Sequence, residues 1–124
     1  MDYRAYTNTE YLLKRILDAL KNPAAASMGY VGDTFDDSPA IPLPSIPDQA
    51  VSAIIAIEGD AAAADPDKLA RFREDGIDPD TSTGRPVGDR FIYEIIGKAN
   101  IDNFRIIGIT VGETHTIHVE YYGK

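Results

Sequence analysis

Apolar residues recur at Leu12, Leu13, Ile16, Leu17 and Leu20, while Lys14, Arg15, Asp18 and Lys21 occupy the positions between them. Spacings of three and four predict an amphipathic helix with one apolar stripe and one charged face. Thr7-Asn8-Thr9-Glu10 has capping-box spacing, with Thr7 as cap and Glu10 reaching back. Asn22-Pro23 closes the helix, because a residue before proline avoids helical angles. A lone helix of roughly 14 residues is not stable in water. Its stripe must dock on its own domain or on a neighbouring subunit.

From residue 50 the period changes to two. Val51, Ala53, Ile55 and Ile57 alternate with Ser52, Ile54 and Ala56, so both faces are apolar and the strand is interior. Phe91 to Ile96 is aromatic and β-branched, which predicts a strand, with a helix capped by Asp89 as the rival. Asn103 to Val111 and His115 to Tyr122 read as two strands joined in a hairpin by Gly112-Glu113-Thr114. In the last strand Ile117, Val119 and Tyr121 share a core face, and His118, Glu120 and Tyr122 share a wet one. Residues 65–76 fit either a helical turn opened by Asp65-Pro66-Asp67 or a strand ending at the Asp75-Gly76 turn.

The stretch between helix and strands differs from both. Residues 23–49 hold five of the eight prolines, at 23, 39, 42, 44 and 47. Ile41-Pro42-Leu43-Pro44-Ser45-Ile46-Pro47 should be extended, since each proline fixes its own φ and restricts its predecessor. It reads either as an arm crossing toward a neighbouring subunit or as a loop held down by Tyr30, Phe35, Ile41 and Ile46. The expected organisation is an N-terminal helix at 1–22, an extended arm at 23–49 and a β-sandwich domain at 50–124. The fold class is mainly β: a small β-sandwich or jelly-roll-like domain preceded by an amphipathic helix and a proline-rich arm.

Composition narrows the functional classes. With 124 residues, 44% hydrophobic and 26% charged, the chain is one folding domain. It has no cysteine, which excludes disulfide scaffolds, thiolate-zinc modules and cysteine nucleophiles. Twenty acids against twelve bases give a net charge of −8, which argues against gripping nucleic acid or an anionic membrane. Thirteen of those acids, against five bases, lie in residues 31–90. They read as turn and cap aspartates or as a surface for a basic partner. The first residues lack the charged-then-apolar layout of an export signal, and runs such as Val51 to Ile57 are too short to cross a bilayer. A cytoplasmic chain is the expectation.

The search for chemistry is mostly negative. The sequence contains no phosphate-binding glycine loop, no Gly-x-Ser-x-Gly elbow, no His-Glu-x-x-His and no dinucleotide fingerprint. His115 and His118 sit three apart on one strand, so they point to opposite faces and read as surface or turn residues. Asp75-Gly76-Ile77-Asp78-Pro79-Asp80 is rich in oxygen ligands but lacks the spacing and terminal Glu of an EF-hand. No catalytic residue, cofactor or metal is assigned.

One succession of turn and strand motifs stands apart. An apolar strand ending in Glu58 is followed by Arg71-Phe72-Arg73-Glu74-Asp75-Gly76 and Pro79-Asp80-Thr81-Ser82-Thr83-Gly84. Phe104-Arg105-Ile106-Ile107 and Val119-Glu120-Tyr121-Tyr122 come next. Over residues 50–123 this order resembles small β-rich proteins encoded in the structural modules of tailed bacteriophages, which are virion components. Gly59 to Lys68 departs from the pattern, being longer and richer in alanine. The resemblance implies that residues 68–74 are a strand and that no catalytic residues carry over. It also implies a non-enzymatic virion protein of the head-decoration type, which forms a homo-oligomer and binds a major capsid protein or another virion protein. Leu12, Leu13, Ile16, Leu17, Leu20, Ile41, Leu43 and Ile46 are the expected interface. Arg71 and Arg73 would lie on a wet face, within reach of Glu58 or Glu120. Two alternatives stay open: a small acidic inhibitor or immunity-type protein that binds a basic partner, and a ligand-binding β-domain using Tyr93, Tyr121, Tyr122 and Arg71.

Overall fold

The computed structural model describes residues 8–21 and 26–123. The elements run α1 (Asn8–Lys21), β1 (Ala26–Phe35), β2 (Ala50–Glu58), β3 (Ala70–Arg73), β4 (Arg85–Val87), β5 (Ile92–Ile96), α2 (Lys98–Asn103), β6 (Arg105–Gly108) and β7 (His115–Gly123). They form two antiparallel sheets, one in the order β1-β7-β2-β5 and the other in the order β4-β3-β6. The mainly-β expectation holds. Thr7, Asn22 and Pro23, the expected boundary residues of the helix, lie outside the described residues.

The core lies between the sheets. Ala53, Ile55 and Ile57 of β2 and Ile117, Val119 and Tyr121 of β7 point inward, as their alternation predicts. They meet Leu69, Ala70 and Phe72 from the β3 side and Ile106 of β6. An aromatic cluster joins the layers: Phe72 lies with its ring centroid 5.4 Å from Tyr93 and 5.3 Å from Phe104. Strand β2 is interior, paired with β7 on one side and β5 on the other.

One expectation changes here, and two open choices resolve as expected. The hairpin between the last two strands does not form: β6 pairs with β3 in one sheet, and β7 pairs with β1 and β2 in the other. Residues 109–114 therefore cross between layers. The inward residues of β6 and β7 supply opposite walls of the core, and local turn chemistry cannot reveal that. Residues 91–96 take the strand option, with α2 following it instead of replacing it. Residues 70–73 are a strand, as the resemblance implies, and the turn after it places Gly76 at φ 81°, a value that favours glycine.

The proline-rich segment is the largest revision. Residues 26–35 form β1, the edge strand beside β7, so this stretch is no linker. Residues 36–41 then run along the free edge of β6. Ile41 exchanges two backbone hydrogen bonds with Ile106 (2.8 and 3.0 Å), and the Gly108 amide donates to the Asp36 carbonyl at 2.7 Å. A bare edge would offer its amides to other chains. Proline suits a cover strand that pairs on one side only. Leu43 is buried in the core, and the Tyr121 hydroxyl donates to the Pro44 carbonyl at 2.5 Å.

Candidate functional site: the outward stripe of α1

The outer face of the larger sheet is polar. His118, Glu120 and Tyr122 alternate outward on β7, with Ser52, Ile54 and Ala56 on β2 and Glu94 on β5 beside them. Ile54 stands opposite Glu120 on one side and Glu94 on the other. This face offers carboxylates, and α1 answers with cations. Lys14 Nζ lies 3.4 Å from Glu94 Oε1, and the Arg15 guanidinium sits 3.9 Å from the centre of the Tyr122 ring. The Tyr122 hydroxyl donates to Glu120 Oε1 (2.9 Å), and the Ser27 hydroxyl donates to the other oxygen (2.9 Å). Burial against this face pushes the Tyr11 hydroxyl up to about 12, with smaller contributions from Tyr122, Glu120 and Glu94.

Docking the charged side inward turns the apolar side outward. Leu12, Leu13, Ile16 and Leu17 are 61%, 58%, 59% and 46% exposed. A surface helix normally buries its apolar stripe, and here the orientation is reversed. The reason is in the sheet, whose outer face has carboxylates and a tyrosine where a leucine stripe would need apolar partners. Covering these four half-exposed side chains would contribute roughly 3–6 kcal/mol per chain at the usual burial value. Four of the expected interface residues are therefore exposed in the single chain. Leu20 is expected with them, but its side chain is not among those described.

Ile41, Leu43 and Ile46 are placed differently from that stripe. Leu43 is a core residue, and Ile41 and Ile46 pack against the core of their own chain. They were expected at a partner surface because proline-rich arms reach outward, whereas this one caps an edge.

The tyrosines and the arginine, Arg71, expected at a ligand site do not converge. Tyr93 and Tyr121 are core residues, and Tyr122 lies on the opposite side of the sheet under Arg15. Arg71 donates to the carbonyls of Thr81 (3.2 Å) and Gly84 (2.8 Å), fixing the β3–β4 loop, and Arg73 pairs with Asp75. Neither arginine meets Glu58 or Glu120. A groove of about 430 Å³ runs beside β3, lined by Phe72, Arg73, Glu74, Asp75, Gly84 and Arg85. Arg85 hydrogen-bonds the Tyr93 hydroxyl at 3.2 Å and lies over the Phe72 and Tyr93 rings. Glu74 Oε1 is buried there without a hydrogen-bond partner among the described residues.

The histidines separate as their spacing requires, but only one is at the surface. His118 lies between the Tyr30 hydroxyl and Glu58 Oε1 (3.0 Å), bridging three strands on the outer face. His115 is fully buried, correcting its reading as a surface or turn residue. Its Nδ1 accepts the Asp60 amide at 3.0 Å, which places the ring proton on Nε2, 3.6 Å from Glu113 Oε1. A histidine at an inward position of an alternating strand was the available signal.

Many acids of residues 31–90 serve the backbone. Asp60 accepts the amides of Ala62 and Thr114, Asp80 those of Ser82 and Thr83, and Asp75 that of Ile77 beside its pairing with Arg73. These bonds hold all three carboxyls below the usual carboxylate range: backbone amides lead for Asp60 and Asp80, and Arg73 leads for Asp75. Among the described residues no group of three acid or histidine side chains could hold a metal ion, and no helix is long and apolar enough to cross a membrane. No protein-family model, curated protein or solved structure matches the chain.

Proposed function

We propose that this chain is a non-enzymatic structural protein of a bacteriophage virion, of the head-decoration type, which self-associates and binds a larger capsid or tail protein. The observation that carries the reading is the reversed helix: α1 is pinned by Lys14 and Arg15 so that Leu12, Leu13, Ile16 and Leu17 face away from their own domain. A chain that holds an apolar stripe outward by ionic contacts presents it to another protein. The β-rich domain and the motif order over residues 50–123 agree with the virion resemblance.

Particle composition tests the reading. Virions of the phage encoding this chain, purified on a density gradient, should contain it at a fixed ratio to the major capsid protein. Its presence in the lysate but absence from particles would overturn the assignment. A tight, salt-sensitive one-to-one complex with a basic protein would favour an inhibitor instead.

A further inference from the structure

We infer that the outward stripe of α1 packs against the same stripe of further copies, with three or four helices running parallel around a rotation axis. The β-sandwiches then lie on the outside of the ring. This deepens the self-association in the function proposed above and rests on that part of it.

The helix reads as a heptad segment. With Leu13 at position a, Ile16 is d, Leu17 is e, Leu12 is g and, by sequence, Leu20 is the next a. Lys14 and Arg15 are b and c, and they are the residues turned onto the helix's own sheet. The domain therefore occupies the side a coiled coil leaves free, and the seam side is open.

The width of the stripe sets the number of copies. At about 100° per residue, Leu12 and Leu17 stand about 140° apart around the axis, flanking Leu13 and Ile16. A pair of helices covers one narrow seam and leaves a flank wet. In a ring of three or four every helix has a neighbour on both sides, and both flanks are covered. Leucine at a with isoleucine at d favours three or four strands over two. Four half-exposed side chains fall well short of the roughly 800 Å² per partner of a stable two-body interface, so the stripe alone would hold a pair only weakly. In a closed ring each protomer is held by two neighbours at once.

A second copy fits this stripe better than a lipid surface does. A helix lying on a membrane keeps its lysines and arginines free for headgroups. Here Lys14 and Arg15 face the sheet, and the chain carries −8.

Light scattering on the full chain tests the inference. The expected mass is three or four times the 13.5 kDa of one chain. Ile16→Glu and Leu13→Glu should each reduce it to a single chain with an unchanged β-rich circular dichroism spectrum. Val111→Glu, at a highly exposed residue of the β6–β7 connection, should leave the mass of the wild type. Should the glutamate variants lose the β spectrum, Ile16→Gln gives the same reading without an added charge. A wild-type dimer overturns the ring but leaves self-association standing, and a monomer overturns both. An unchanged mass in folded Ile16→Glu also overturns the ring. So does a monomer that co-sediments with phosphatidylglycerol vesicles. A ring absent from virions leaves this inference intact and sinks the virion assignment.

Discussion

Between the sheets Phe72 meets Tyr93 and Phe104 ring to ring, while beneath α1 Lys14 meets Glu94 and Arg15 meets the Tyr122 ring. The first contact removes apolar surface from water. The second brings charges together across a half-wet seam and leaves apolar surface in water. The Lys14–Glu94 pair is largely buried, so much of its attraction is offset by the desolvation of Glu94, and a cation over an aromatic ring contributes about 0.5–2 kcal/mol, against several for a buried aromatic cluster. The sandwich is therefore the stable body, and α1 is a lightly held element whose orientation matters more than its strength.

Truncating the aromatic cluster should have the largest effect. Phe72→Ala removes a ring that is 1% exposed and touches both layers, and should cost about 3–5 kcal/mol in urea unfolding. Tyr121→Phe comes next. It leaves the ring in place but strips the donor from the Pro44 carbonyl, and should cost about 1–3 kcal/mol. Because that bond ties the edge-covering segment to β7, the variant should also speed amide exchange at Ile41. Unchanged exchange there would separate the cover from the bond.

These two positions show how far the sequence could be read. Tyr121 falls on the core side of a strictly alternating strand, so its burial was legible. Its partner was not, because Pro44 is 77 residues away and only the fold brings it near. The helix, the interior strand β2 and the alternation of β7 followed from periodicity, which is a local property. The mistaken hairpin and the mistaken arm both required knowing which sheet a strand joins. The stripe of α1 was legible as a stripe. That it faces outward was not, since this depends on Glu94, Glu120 and Tyr122 arriving from strands far along the chain.

The seam beneath α1 should yield to charge. Lys14→Glu sets a second carboxylate against Glu94, which is only 8% exposed, and should weaken docking by about 1 kcal/mol. Amide exchange should quicken across residues 8–21 and stay unchanged in β2 and β7. The seam should also yield to alkali. Tyr11 titrates near 12 in place of the usual 10 because burial disfavours its ionised form. A raised pKa means that its contribution is intact below pH 10 and is lost as the pH climbs toward 12. A spin label at Thr9→Cys, in a chain with no other cysteine, should become mobile over that interval. Tyr11→Phe should remove the step, and a step that persists would assign it to another tyrosine.

The smallest effect should come from the most apolar surface. Ile16→Ser and Leu17→Ser change side chains that touch water in the single chain, so no cavity forms and no partner is lost within the fold. At concentrations where one chain is present alone, each should shift the unfolding free energy of the sandwich by no more than about 0.5 kcal/mol. Phe72→Ala loses several times that from one side chain of similar apolar character. If the serine variants instead unfold the isolated chain, the stripe is part of its own core and the reversed helix is wrong. If they leave the isolated chain untouched but abolish assembly, those leucines and isoleucine are kept for the neighbours.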